Sequence, residues 1–106
     1  MQENIIIKNK LDEKSILLYY EIFNKINNSQ WTLKQFKQSL RNQEYLNHFV
    51  FYQNSQVVAL VEYSINNPWN KKIFDIIYIT NKEMEKYIID YIINKIPQLK
   101  NIIKEL

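Results

Sequence analysis

The chain has 106 residues and a mass of 13.0 kDa, with 46% hydrophobic, 24% charged and 14% aromatic residues, a balance that fits one folded domain over 1–106 and excludes a disordered tail. Cysteine and glycine are both absent and His48 is the single histidine, so disulfides, thiolate chemistry, most imidazole metal sites, P-loops and dinucleotide fingerprints are all excluded. The net charge of +3 comes from 14 basic and 11 acidic residues that are interspersed, the longest basic run being Lys71-Lys72, which describes a mixed solvated surface and not a nucleic-acid footprint.

The chain opens MQENIIIKNK, whose three consecutive apolar residues are too few for a signal-peptide core. No later apolar run approaches the roughly 18 residues of a membrane helix, so a cytoplasmic protein without a membrane partner is expected. Asn4 to Lys10 reads as an opening strand. From Asp12 to about Ile26, Leu18, Tyr19, Ile22, Phe23 and Ile26 recur at helical spacing, with Asp12 and Glu13 in the first turn where the helix dipole favours them. Thr32 and Gln35 form a capping box for a second helix that ends near Asn42 and buries Leu33, Phe36 and Leu40. Two strands follow, about Leu46 to Tyr52 and Gln56 to Ile65, joined by a tight turn at Gln53-Asn54-Ser55; the second is the more continuously apolar and should be central. A loop through Trp69 leads to a strand from Lys72 to Ile79. Thr80 and Glu83 then suggest a capping box for a helix that buries Met84, Tyr87, Ile88, Tyr91 and Ile92 and stops at Pro97. Leu99 to Leu106 is a last strand candidate, which makes the order strand, helix, helix, three strands, helix, strand: an α+β domain with a mixed or antiparallel sheet of four to five strands.

That order, with Trp31-Thr32-Leu33-Lys34-Gln35-Phe36 at the second helix and Glu44-Tyr45-Leu46-Asn47-His48-Phe49 opening the meander, is similar to the first three-quarters of the GNAT acetyltransferase superfamily, and among its members to the RimI-type ribosomal-protein N-acetyltransferases. The resemblance runs from about Asn4 to Ile96. It implies acetyl-CoA in a wedge between the fourth and fifth strands, its pyrophosphate held by backbone N–H groups at the start of the following helix, which in the family bears R/Q-x-x-G-x-G/A. Here the aligned residues are Glu85-Lys86-Tyr87-Ile88-Ile89: a glutamate stands for the basic or amide residue, and Tyr87 and Ile89 stand for the glycines. A carboxylate repels a pyrophosphate and bulky side chains fill the approach, so the cofactor is expected to be lost. If acetyl-CoA is bound, the resemblance places it on the backbone of Ile77, Tyr78 and Ile79 and at Lys86, Tyr87 and Ile88. The family also continues with a sixth and seventh strand and a general-acid tyrosine beyond the point where this sequence stops, and a fifth-strand glutamate acts as base; Glu105 is the residue that could stand there.

Trp31 reads as core packing at a helix start, whereas Trp69, in a polar loop beside Pro68, is a candidate partner contact. His48 reads as structural, and the pairs Asp12-Glu13 and Glu83-Glu85 as dipole compensation. Two functions follow: a degenerate GNAT-like domain that binds another protein, or a minimal acetyl-CoA-dependent N-acetyltransferase acting on a protein amine; an unrelated small α+β domain is the remaining reading. A sheet edge left open near a fifth strand implies a homodimer across it or a heteromeric partner.

Overall fold

Without glycine, asparagine takes the positions where the backbone must turn left-handed. The computed structural model describes residues 4–104. Among these, positive φ falls on Asn4, Asn28, Asn54 and Asn70, at 49 to 64°, and on Ser55 at 65°. Asn54 and Ser55 are adjacent, and the type I′ two-residue hairpin, whose twist matches the strands it joins, needs positive φ at both central residues. The turn between β2 (Asn47–Gln53) and β3 (Gln56–Ser64) is therefore built as the sequence suggests.

The first helix, α1 (Glu13–Asn27), has Asp12 as its cap and not in its first turn. The Asp12 carboxylate accepts the Ser15 N–H at 3.0 Å and Ser15 Oγ accepts the Asp12 N–H at 2.8 Å. The second, α2 (Leu33–Asn42), carries the expected Thr32–Gln35 box, with reciprocal bonds of 3.1 and 2.8 Å. The box expected at Thr80 is not formed. Thr80 extends the sheet, giving both its N–H and its hydroxyl to the Val58 carbonyl, and Asn81 caps in its place by accepting the Glu83 N–H at 2.9 Å. A tight 3-10 turn, Lys82–Met84, then feeds α3 (Glu85–Lys95).

The expected last strand is helical. Pro97 ends α3 and starts a second 3-10 turn, Pro97–Leu99, that runs into α4 (Lys100–Lys104). Leu99 is fully buried and Ile103 5% exposed, a spacing of four that puts both on one helix face, which Lys100, Asn101 and Ile102 between them concealed as a strand-like mixture. Glu105 lies outside the described residues.

The sheet is accordingly four-stranded and wholly antiparallel, in the order β1 (Ile5–Lys8), β2, β3, β4 (Ile73–Ile79). The open edge expected at the chain end is not formed by 99–104; it falls on β4. Register shifts between Phe51 and Tyr52 and between Leu60 and Val61 mark bulges in the two inner ladders. One sheet face buries Phe49, Phe51, Ala59 and Val61 under Met84, Ile88, Ile92, Leu99 and Ile103. The other buries Val50, Tyr52, Val57 and Leu60 beneath Leu18 and Tyr19 of α1. Helix α2 reaches this core through Phe36, 3% exposed and packed on the rings of Tyr19, Tyr20 and Phe23. Ile26, expected in the buried stripe, is 74% exposed because the last turn of α1 carries it past the packed part of the sheet. Among the described residues no helix is long and apolar enough to cross a membrane.

The helical tail gives a direct test. Leu99→Ala should lower the unfolding free energy by about 2–5 kcal/mol, whereas Gln98→Ala, on the exposed side of the same turn, should leave it within about 0.5 kcal/mol, both read from urea denaturation.

Candidate functional site

A phosphate held at a helix start needs backbone N–H groups that are free to donate. At the start of α3 they are engaged: the Glu83 N–H goes to the Asn81 side chain, the Met84 N–H to the Asn81 carbonyl at 2.9 Å and the Glu85 N–H to the Lys82 carbonyl. The side chains around them fill the approach. Ile88 is fully buried, Tyr87 sets its ring edge-on to Phe51, Met84 is 5% exposed, and Lys86 is turned outward to Asp90 at 3.0 Å. Ile77, Tyr78 and Ile79 are the end of β4, with Tyr78 and Ile79 paired to Leu60 and Ala59 and Ile77 at the bulge. Ile77 and Tyr78 pack on the α1 side of the sheet, whereas Ile79, Tyr87 and Ile88 pack in the core on the other side, so the side chains of the residues named for acetyl-CoA are divided between the two faces.

Trp69, the candidate contact residue, lies in the loop before β4. The loop before β4 is pinned by Asn67, whose carbonyl oxygen accepts the N–H groups of Trp69 and Lys71 at 3.2 Å and whose amide donates to the buried Ser64 hydroxyl at 3.0 Å. Trp69 is 56% exposed, with its ring edge-on to Tyr45 at 4.9 Å. Trp31 is not the core residue expected of it: it is more than a third exposed, leaning on Phe23.

The polar cluster that sequence reading missed lies on the α1 face of the sheet. His48, Glu62 and Asp75 form one row, His48 opposite Glu62 on β2 and β3, and Glu62 opposite Asp75 on β3 and β4. The His48 and Glu62 side chains are only 10% and 13% exposed, with His48 Nε2 and a Glu62 carboxylate oxygen 3.0 Å apart. Tyr19 comes down from α1 and its hydroxyl donates to the same oxygen, while its ring meets His48 edge-on. Burial raises the Tyr19 phenol well above its ordinary range, helped by the bond to Glu62 and by the charges of Glu62 and Asp75. Asp75 is also held above the usual aspartate range, first by desolvation and then by the neighbouring Glu62 charge, against an opposing bond from the Ile76 N–H. A signal existed in the hairpin, because His48 and Glu62 flank it almost symmetrically. Counting back from the turn pairs His48 with Val61, however, and only the extra residue of the bulge brings Glu62 into place.

A second carboxylate is structural. Burial opposes ionisation of Asp12, but bonds from the Tyr52 hydroxyl, the Ser15 backbone and side chain and Lys8 outweigh it and hold the acid well below its usual range. Tyr52 is correspondingly pushed up to about 12, by burial and by Asp12.

Beside the polar row, a cleft of about 290 Å³ opens between α1 and β4, its lining including Ile22, Ile26, Asn27, Ile77, Glu62 and Asp75. Among the described residues no group of three histidine or acidic side chains is placed to hold a metal ion. Comparison with protein-family models, with curated proteins and with solved structures gives no match.

Like charges directly opposite on neighbouring strands destabilise a sheet by about 0.2–1 kcal/mol, reduced here because Asp75 is solvent-exposed. Asp75→Asn should therefore raise the melting temperature at pH 7 by roughly 2–4 °C. The sign with pH follows from the raised acid. Its penalty is full above the folded-state value and disappears below the ordinary 3.8, so the gap between wild type and variant should close in melts taken down to pH 3.

Proposed function

We propose that this chain is a GNAT-like domain that has lost acetyl-CoA binding and works by holding another polypeptide along β4. The observation that carries the reading is the character of that strand. β4, IFDIIYI, is seven residues long with a single charge and no proline, and among the described residues nothing pairs with its outer side. Natural sheet edges are shortened, charged or covered, because a bare one templates the addition of another strand. The opposite edge follows that rule: β1 is four residues long, with Lys8 within it and Lys10 just beyond.

The start of α3 supports the loss of the cofactor. Its first N–H groups are bonded within the chain, and Glu85 sets a negative charge where a pyrophosphate would lie. Each charge-assisted bond of the kind the family uses contributes on the order of 1.5–3 kcal/mol, so losing two or three weakens a micromolar ligand by roughly three powers of ten or more. The exposed Trp69, four residues before β4, offers an aromatic anchor at one end of the open edge. A cytoplasmic setting belongs to the same proposal.

Addition of about 1 mM acetyl-CoA should leave the thermal unfolding midpoint unchanged, since a ligand at its dissociation constant adds only about 0.4 kcal/mol. Calorimetric binding tighter than about 100 µM would overturn the proposal and restore the acetyltransferase reading.

A further inference from the structure

Carried to the next strand position, the row His48, Glu62, Asp75 ends on two carboxylates side by side, and the position beyond Asp75 is the one a fifth strand would fill. Resting on the reading of β4 as the contact edge, we propose that the added strand belongs to a basic partner: an extended peptide whose lysine or arginine side chain lies opposite Asp75 and enters the cleft between α1 and β4.

Three observations converge on that chemistry. First, the pairing is electrostatically incomplete. Among the described residues the ion pairs of lysine are Lys8 with Asp12, Lys37 with Glu13 and Lys86 with Asp90; none reaches Glu62 or Asp75. In a chain with more basic than acidic residues, no lysine or arginine among the described residues is ion-paired to this row. A residue paired with Asp75 from outside points to the same face, so a cation there would sit against the uncompensated carboxylate.

Second, the cleft suits the rest of such a side chain. Its lining combines the apolar Ile22, Ile26 and Ile77 with the carboxylates of Glu62 and Asp75, which suits an aliphatic stem with a charged head. Ile26, the most exposed of the large apolar side chains described, lies along the same cleft and would be covered.

Third, charge argues against a second copy as the occupant. Two β4 strands paired about a two-fold axis would bring two Asp75 and two Glu62 carboxylates to one face of a continuous sheet, adding like charges to a row that already has an unfavourable pair. A neutral or acidic peptide leaves that pair as it is. A basic strand relieves it.

The test is selection from a library of random ten-residue peptides on the purified full chain, followed by affinity measurement and backbone amide exchange with the selected peptides. The expected result is a set of β-branched peptides sharing one lysine or arginine position, binding roughly tenfold more weakly to Asp75→Asn and more weakly at high salt, and protecting amides of Ile73–Ile79. Circular dichroism and the melting midpoint of the variant show that it is folded, so the loss is read as a binding effect. Peptides that protect β4 amides without a shared basic position, or that bind Asp75→Asn equally well, would overturn the basic-partner inference and leave the edge reading standing. Protection of β4 that appears with protein concentration alone would assign the edge to a second copy and overturn it likewise. If no peptide protects β4 and the chain stays monomeric at high concentration, the edge reading falls too.

Discussion

The coverage of β3 on both faces is the constraint from which the other elements take their places. From Val57 to Val61 no residue is more than 8% exposed, so one side must be roofed by α3 and α4 and the other by α1. A strand buried on both sides reads as a continuous apolar run, and an amphipathic helix on each side is what keeps it dry. The run stops at Glu62, where the α1 face turns polar, and Tyr19 is the side chain of α1 whose hydroxyl reaches that point. The polar row is therefore the boundary of the core, and its burial follows from the helix that covers the core beside it.

Much of this architecture was legible because its periods are clean. The apolar runs of β2 and β3, the Leu18–Ile22 and Ile88–Ile92 spacings and the Thr32 cap each carry one dominant pattern or one capping chemistry, and the α+β order follows from them. The tail was not legible, since Leu99 and Ile103 are two apolar positions with Lys100, Asn101 and Ile102 between them, a pattern too short to distinguish a helical face from a strand or a frayed tail. The cap of the 3-10 turn that leads into α3 was missed for a related reason: Thr80 and Asn81 are both good caps, and the hydrogen bonds from Thr80 to Val58 decide between them. Ile26 keeps the helical spacing but has no partner layer to pack on. The site lay hidden behind the bulges, which shift pairing by one residue and so determine which acidic and imidazole groups share a face.

The pair Glu62 and Asp75 breaks the ordinary rule that opposite positions on a sheet avoid like charge. Places where a chain departs from such a rule without compensation elsewhere are where a role beyond folding is to be sought. Here the departure sits on the one strand that also departs from the rule for edges. The two anomalies meet at Asp75 on β4, while among the described residues no buried side-chain polar atom lacks a partner.

The asymmetry between the two edges also fixes how large an assembly can become. A sheet with two bare edges is a repeating unit, able to grow by stacking one chain on the next without end. This sheet has a single growing end, because β1 is short and carries its lysines. A strand laid on β4 exhausts the valence of the molecule, and even a pair of copies joined there would present only two guarded β1 edges to solvent. A strand added on β4 would therefore leave only the guarded β1 edge of this chain, and growth would stop at that step.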